Sequence, residues 1–271
     1  MADETMITAV QMVENGKDAD ITWMYDEFRN ALADIWAKIN DRFELTRDPS
    51  TDRFQEIGHE SGIHGRTSAF AGPEIDWAVY SWIANPTAGF TNMHITVHPG
   101  AQVDVPSFGL AFAAFGVNPW GFADYTPRRE LLVNPDYSRK YYESVNERWM
   151  QVRRENPDLA WFTSPTSFIR ASVSPIAFLY SGPPFDRRTI EICVQQAHEY
   201  CDRWLQWMDE AEPVPTDERA ALHAHTVDIR RSIADEDPAN VIAERLFGEE
   251  QASGMVRALW GGDRKLPYAG I

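Results

Sequence analysis

Positive charge is scarce in this sequence: 25 lysines and arginines stand against 41 aspartates and glutamates, giving a net charge of −16, and only four of the basic residues are lysine. That balance repels nucleic acid and disfavours an anionic membrane surface. Long apolar runs are also missing. None approaches the ~20 residues needed to cross a bilayer, and candidates such as 108–117 are broken by Gly, Asn and Pro. The acidic start Met1-Ala2-Asp3-Glu4 leads into no apolar core segment or Arg-rich amphipathic stretch, so the expectation is neither a secretory signal nor a transit peptide, and a cytosolic location. Cysteine is limited to Cys193 and Cys201. Eight helical residues would hold them about 12 Å apart, too far for a disulfide, so buried thiols are expected. No Walker loop, Rossmann glycine fingerprint, Gly-x-Ser-x-Gly elbow or His-Glu-x-x-His motif occurs.

With 44% hydrophobic and 12% aromatic residues, the 271-residue chain can build a sizeable core. Residues 1–20 show no clear period and read as an N-terminal arm, leaving 21–271 as a single domain. From Thr22, a plausible N-cap, the residues Met24, Phe28, Leu32, Ile35 and Ile39 form one helical stripe. Between 53 and 125 the period falls to two, with candidate strands at 53–57, 65–71, 75–83, 93–98, 108–115 and 121–124. Their short links favour an antiparallel meander. Helical periodicity returns at 135–154, 186–208 (after Pro183-Pro184), 216–233 and from 238 to about 260. Trp204 and Trp207, three residues apart on the second of these, read as core packing. A helix, a meander and then four helices imply an α+β fold, a three-layer α/β/α sandwich with a central antiparallel sheet flanked by helices.

Histidine offers no good metal set. His223 and His225 point to different faces of a helix, and His94 and His98 lie about 13 Å apart along a strand. In the segment from Asn92 to Gly100, Met93, Ile95 and Val97 share one face while His94, Thr96 and His98 share the other. In the run from Phe108 to Gly116, alternation separates Leu110, Phe112 and Ala114 from the small set Gly109, Ala111 and Ala113. Pairing these strands with His94 over the small residues would create a flat recess with one titratable imidazole, a floor for a planar ligand. The same pattern fits a half-exposed sheet histidine beneath a packed helix.

The segments Met93-His94-Ile95-Thr96-Val97-His98-Pro99-Gly100, Pro106-Ser107-Phe108-Gly109-Leu110-Ala111 and Asp124-Tyr125-Thr126-Pro127 resemble, in order and spacing, the strand–hairpin–strand core of the ferredoxin-dependent bilin reductases. Phe168-Ile169-Arg170 is similar to that family's entry to its later helices, and Val241-Ile242 through Phe247-Gly248 to its last helix. The resemblance runs from about Gly65 to Trp260. It implies an open-chain tetrapyrrole held between the sheet and the C-terminal helices, external ferredoxin as single-electron donor, and no tightly bound flavin or metal. It also implies that His94 and Asp237, in the loop before the last helix, deliver protons. Tyr80, Thr96, Phe108, Ala111, Ala113 and Ile242 would line the substrate, with Arg128, Arg154 and Arg170 as candidates for its carboxylates.

Three positions depart from the family pattern. Ala111 stands where many members carry a strand aspartate, no clear counterpart of the strand glutamate occurs near Asp76 and Tyr80, and Pro238 replaces a common basic residue. Asp237 also suits an N-cap before Pro238. The functional expectation is an oxidoreductase acting on a bilin or chlorophyll breakdown product. The alternatives are a divergent member acting on another conjugated or aromatic molecule and a non-catalytic tetrapyrrole-binding protein.

Overall fold

The computed structural model describes residues 6, 8–16, 19–157, 159–181 and 186–271. Met1 to Glu4 and Pro183-Pro184, used above, lie outside them. The strands are β1 (Thr46–Arg47), β2 (Ile57–Gly58), β3 (His64–Ala71), β4 (Ile75–Asn85), β5 (Phe90–Pro99), β6 (Ser107–Phe115), β7 (Asn118–Thr126), β8 (Ala160–Trp161) and β9 (Phe178–Ser181). The helices are α1 (Ala9–Asn15), α2 (Thr22–Arg42), α3 (Pro135–Ser138), α4 (Ser144–Glu155), α5 (Ser167–Ser172), α6 (Arg187–Asp209), α7 (Thr216–Asp235), α8 (Asn240–Phe247) and α9 (Glu249–Trp260). One antiparallel sheet runs β1-β3-β4-β5-β6-β7-β9-β8, with β2 on β3. This is the expected α/β/α sandwich.

Met93, Ile95 and Val97 form the dry side of β5, each 0% exposed. Against that side lie α2, whose stripe Met24, Phe28, Leu32, Ile35 and Ile39 is wholly buried, and α6. Each such side chain contributes roughly 1.5–3 kcal/mol by leaving water. Phe28 stacks on Phe112 at 4.6 Å, and Trp204 of α6 packs on Phe108 while its indole N–H donates to the Pro106 carbonyl at 2.9 Å. Cys193 and Cys201 are free and buried on α6.

The other helical layer covers the His94 side. Its anchor is Asp76, an extra residue between Ile75 and Trp77 where the β4–β5 register shifts. A bulge of this kind re-aims its side chain, and Asp76 accepts from Arg230 of α7 at 2.6 Å, from Arg264 at 3.0 Å and from the Ala269 N–H at 3.2 Å. Burial pushes the Asp76 carboxyl up, but the two guanidiniums outweigh it and hold the pKa below the usual carboxylate value. Nearby, the Trp77 indole N–H donates to the Ala258 carbonyl of α9 at 2.9 Å.

Several boundaries differ from the sequence expectation. Thr22 is the first helical residue of α2, and the Asp20 carboxylate accepts its N–H at 2.9 Å and its hydroxyl at 2.6 Å. Residues 49–54 form a 3₁₀ turn rather than the start of a strand. The helix expected at 135–154 carries a π-helical turn at Arg139–Glu143, beside the buried Tyr137, Tyr141 and Tyr142. The expected last helix is two helices, α8 and α9, parted at Gly248, whose φ of +79° suits glycine alone. Within the expected arm, α1 is a short helix whose Met12 and Val13 pack with Ala113 and Phe115 of β6.

Candidate active site

Strand register sets three rows across the sheet. Val79, Thr96, Gly109 and Asp124 form the first; Ser81, His94, Ala111 and Phe122 the second; Ile83, Asn92, Ala113 and Trp120 the third. All share the side opposite Met93, Ile95 and Val97. Although β5 and β6 are interior strands, Asn92, His94, Thr96 and Ala111 are only half-buried. A covered sheet keeps such positions accessible only where the covering layer stands away from it. The strip Gly109, Ala111 and Ala113 supplies the headroom, and a Cβ on Gly109 would already stand 3.1 Å from the Phe122 ring.

Polar atoms on this side are left without partners. His94 Nε2, Thr96 Oγ1 and Trp120 Nε1 are shut off from water and make no hydrogen bond among the described residues. Each such atom costs about 1–3 kcal/mol, so a native fold seldom keeps several together without use. Burial lowers the His94 pKa to about 4, leaving a neutral imidazole at pH 7 with one donor and one acceptor nitrogen. Further along β5, His98 Nδ1 lies 2.9 Å from Ser107 Oγ. Its pKa falls to about 3 through burial and the neighbouring Arg230, against the opposing pull of Asp76.

Above these rows α8 forms a loose roof. None of its side chains is buried. Phe247 joins the apolar cluster that includes Ile83 on β4, and Arg245 pairs at 3.1 Å with Glu14 of α1, which sits on β6. Its attachments therefore fall on either side of β5. In the α7–α8 loop, Asp237 Oδ1 accepts the Ala239 N–H at 2.8 Å. This turn spans Pro238, and α8 begins only at Asn240, so Asp237 is not its N-cap. Burial raises the Asp237 pKa against that hydrogen bond.

Of the residues singled out in the sequence, Thr96, Ala111 and Ala113 lie beside His94, and Ile242 sits half-buried on α8. No hydrogen bond among the described residues joins Asp237 to His94. Tyr80 and Phe108 are corrections. Tyr80 pairs with Ile95 and Phe108 with Val97, which places both on the α2–α6 side. There the Tyr80 hydroxyl accepts from Arg29, and Phe108 is core. Arg154 is exposed and paired with Glu147 on α4, whose Val152 and Trp149 pack into that same opposite core. Arg170 donates locally to the Ser164 carbonyl at 2.8 Å. Arg128 is 2% exposed and spent on Thr226 Oγ1 at 3.0 Å and the Val103 carbonyl at 2.8 Å.

Trp120 and Asp124 were not singled out as site residues from sequence, although alternation at 120, 122 and 124 could have placed them together. Asp124 is fully buried and accepts from Ser174, through its N–H at 2.8 Å and its hydroxyl, and from the Tyr125 N–H at 2.8 Å. Burial outweighs these donors and pushes its pKa up to about 6.

A sheet with one sealed side and one half-open side beneath C-terminal helices defines the class of the α/β/α sandwich. The crystal structure of phytochromobilin synthase from tomato in complex with biliverdin has this fold: the TM-score is 0.76 at 18% identity, covering 87% of this chain and 83% of that one. Residues 55–260 match the family model of red chlorophyll catabolite reductase (RCC reductase), and the chain belongs to that family. The chloroplastic red chlorophyll catabolite reductase of Arabidopsis thaliana is 25% identical over 214 residues, 74% of this chain and 66% of that protein. The Hordeum vulgare enzyme is 26% identical over 101 residues, 36% of this chain and 48% of its own length. No helix among the described residues is long and apolar enough to cross a membrane.

Proposed function

We propose that this protein is a reductase of a linear tetrapyrrole, a bilin or a chlorophyll breakdown product, taking single electrons from ferredoxin and supplying the protons itself. The observation that carries this reading is the His94 side of the sheet, with its small-residue strip beneath unpaired polar atoms. A planar, conjugated ligand bearing carbonyl groups matches both features. Saturating one double bond consumes two electrons and two protons. A one-electron donor delivers the electrons singly, so a radical forms between them and each charge must be met by a proton.

In the ligand-free protein His94 is neutral and carries one N–H to offer a carbonyl oxygen. Added electron density makes that oxygen more basic; the His94 ring takes up a solvent proton at its acceptor nitrogen as its N–H proton crosses to that oxygen, and so ends neutral again. Asp237, with its raised pKa and its place before the roof helix, serves as the second proton source. Ala111 leaves no carboxylate opposite His94, so the burden falls on these two groups. We keep the cytosolic setting read from the sequence, although the Arabidopsis relative is chloroplastic; cell fractionation decides it.

Titration with biliverdin, followed by reduced ferredoxin under anaerobic conditions, tests the reading. A stoichiometric absorbance change and then loss of the conjugated band support it. Binding without turnover would make this a tetrapyrrole carrier, and no binding would point to another conjugated substrate. His94→Gln and Asp237→Asn should each lower kcat at least tenfold with Kd little changed, as loss of a positioned proton donor does.

A further inference from the structure

Trp120 carries an unpaired donor on the His94 side of the sheet, remote from His94 itself. It lies on the His94 side of β7, one row along and two strands over from His94. The backbone separation is about 12 Å at ordinary sheet spacings. Its ring is clamped: Phe122 lies nearly parallel at 6.4 Å and 13°, Phe162 stands edge-on at 6.0 Å and 86°, and Met12 and Val13 of α1 join the same cluster. The ring is thus fixed before any ligand arrives. Yet Nε1 is closed off from water and finds no acceptor among the described residues. An indole N–H can only donate, so its missing partner is an acceptor that the described residues do not provide.

We propose that Trp120 is a specificity-determining residue of the cleft, donating its indole N–H to a carbonyl or carboxylate oxygen at the end of the ligand remote from the group held by His94. The inference rests on the tetrapyrrole reading and sharpens it. Thr96 and His94 follow each other along β5 and Trp120 stands two strands away, so a ligand satisfying all three is extended over several rings and bears an oxygen at its Trp120 end. A single-ring molecule does not bridge the ~12 Å from His94 to Trp120.

Trp120→Phe keeps an aromatic ring in the cluster and deletes the donor, with some loss of packed volume. The variant should bind biliverdin roughly tenfold more weakly, the yield of one well-aligned hydrogen bond. Its melting temperature should fall only by the packing cost of the smaller ring, because Nε1 has no partner among the described residues. In the ¹⁵N-tryptophan spectrum of the wild type, the indole resonance missing from Trp120→Phe should move downfield on adding biliverdin. Wild-type-like affinity, or a stationary resonance, would make Trp120 a packing residue and overturn the proposal while the tetrapyrrole reading stands. Failure of the wild type to bind biliverdin would overturn both.

Discussion

Asp76→Ala should be among the most damaging single substitutions outside the cleft. The side chain of Asp76 is 4% exposed, and those of its partners Arg230 and Arg264 are 3% and 6% exposed. Deleting the carboxylate strands two guanidiniums in a site that water cannot enter, and removing one partner of a buried pair costs about 3–5 kcal/mol. At 2–4 °C per kcal/mol for a chain of this size, the melting temperature should fall by roughly 6–20 °C. Urea unfolding at pH 7, with an unchanged slope, measures the loss directly. Asp76→Leu combined with Arg230→Met and Arg264→Met should recover much of it, because an apolar replacement removes the charges together with their desolvation cost. The sign with pH also follows. The Asp76 pKa is lowered on folding, so its contribution is present above about pH 3.8 and is lost as pH falls through the folded value. A loss below about 1 kcal/mol for Asp76→Ala would refute the view that this carboxylate clamps the second helical layer onto the sheet.

Acid should weaken the fold above the ordinary carboxylate range. His94 and His98, with folded values of about 4 and about 3, leave protons to the unfolded chain below pH 6.5, and Asp124, at about 6, opposes them by one. These three groups give a net loss of about 1.4 kcal/mol per pH unit from pH 6 to 4. Urea midpoints across that range check it, and a flat profile would contradict it. Ala111→Phe should change stability by less than about 1 kcal/mol while abolishing the biliverdin absorbance change, because the ring occupies the recess; unchanged binding would place the ligand elsewhere. Gly248→Ala meets no atom within 4 Å, so its cost is backbone strain alone. That is about 1–3 kcal/mol, readable in the same urea assay.

The β5–β6 side of the cleft was legible in the sequence because strict alternation settles which residues share a face; the register that sets His94 against Ala111 is a property of the folded sheet that alternation leaves open. Alternation also separates Phe108 from Gly109 and Ala111. Assigning Phe108 to the substrate followed the family resemblance against that local rule. Tyr80 was harder: its side depends on the register between β4 and β5, which the bulge at Asp76 shifts. Arg154 failed because helical periodicity says which face of α4 is buried but not which layer it joins. The clamp at Asp76 was invisible for a different reason. Its partners lie 154 and 188 residues away, and no local pattern announces contacts at that separation.

The unpaired atoms over β5 and β7 imply that the empty protein falls short of its own best stability. A ligand that satisfies them acts as a late piece of the core, and at a hundred times its Kd it would add about 2.7 kcal/mol. Chains that have met their ligand would then outlast those that have not under heat or protease. Melting temperature thereby becomes a substrate screen that needs neither an electron donor nor turnover, and candidate pigments can be ranked by how far each one raises it.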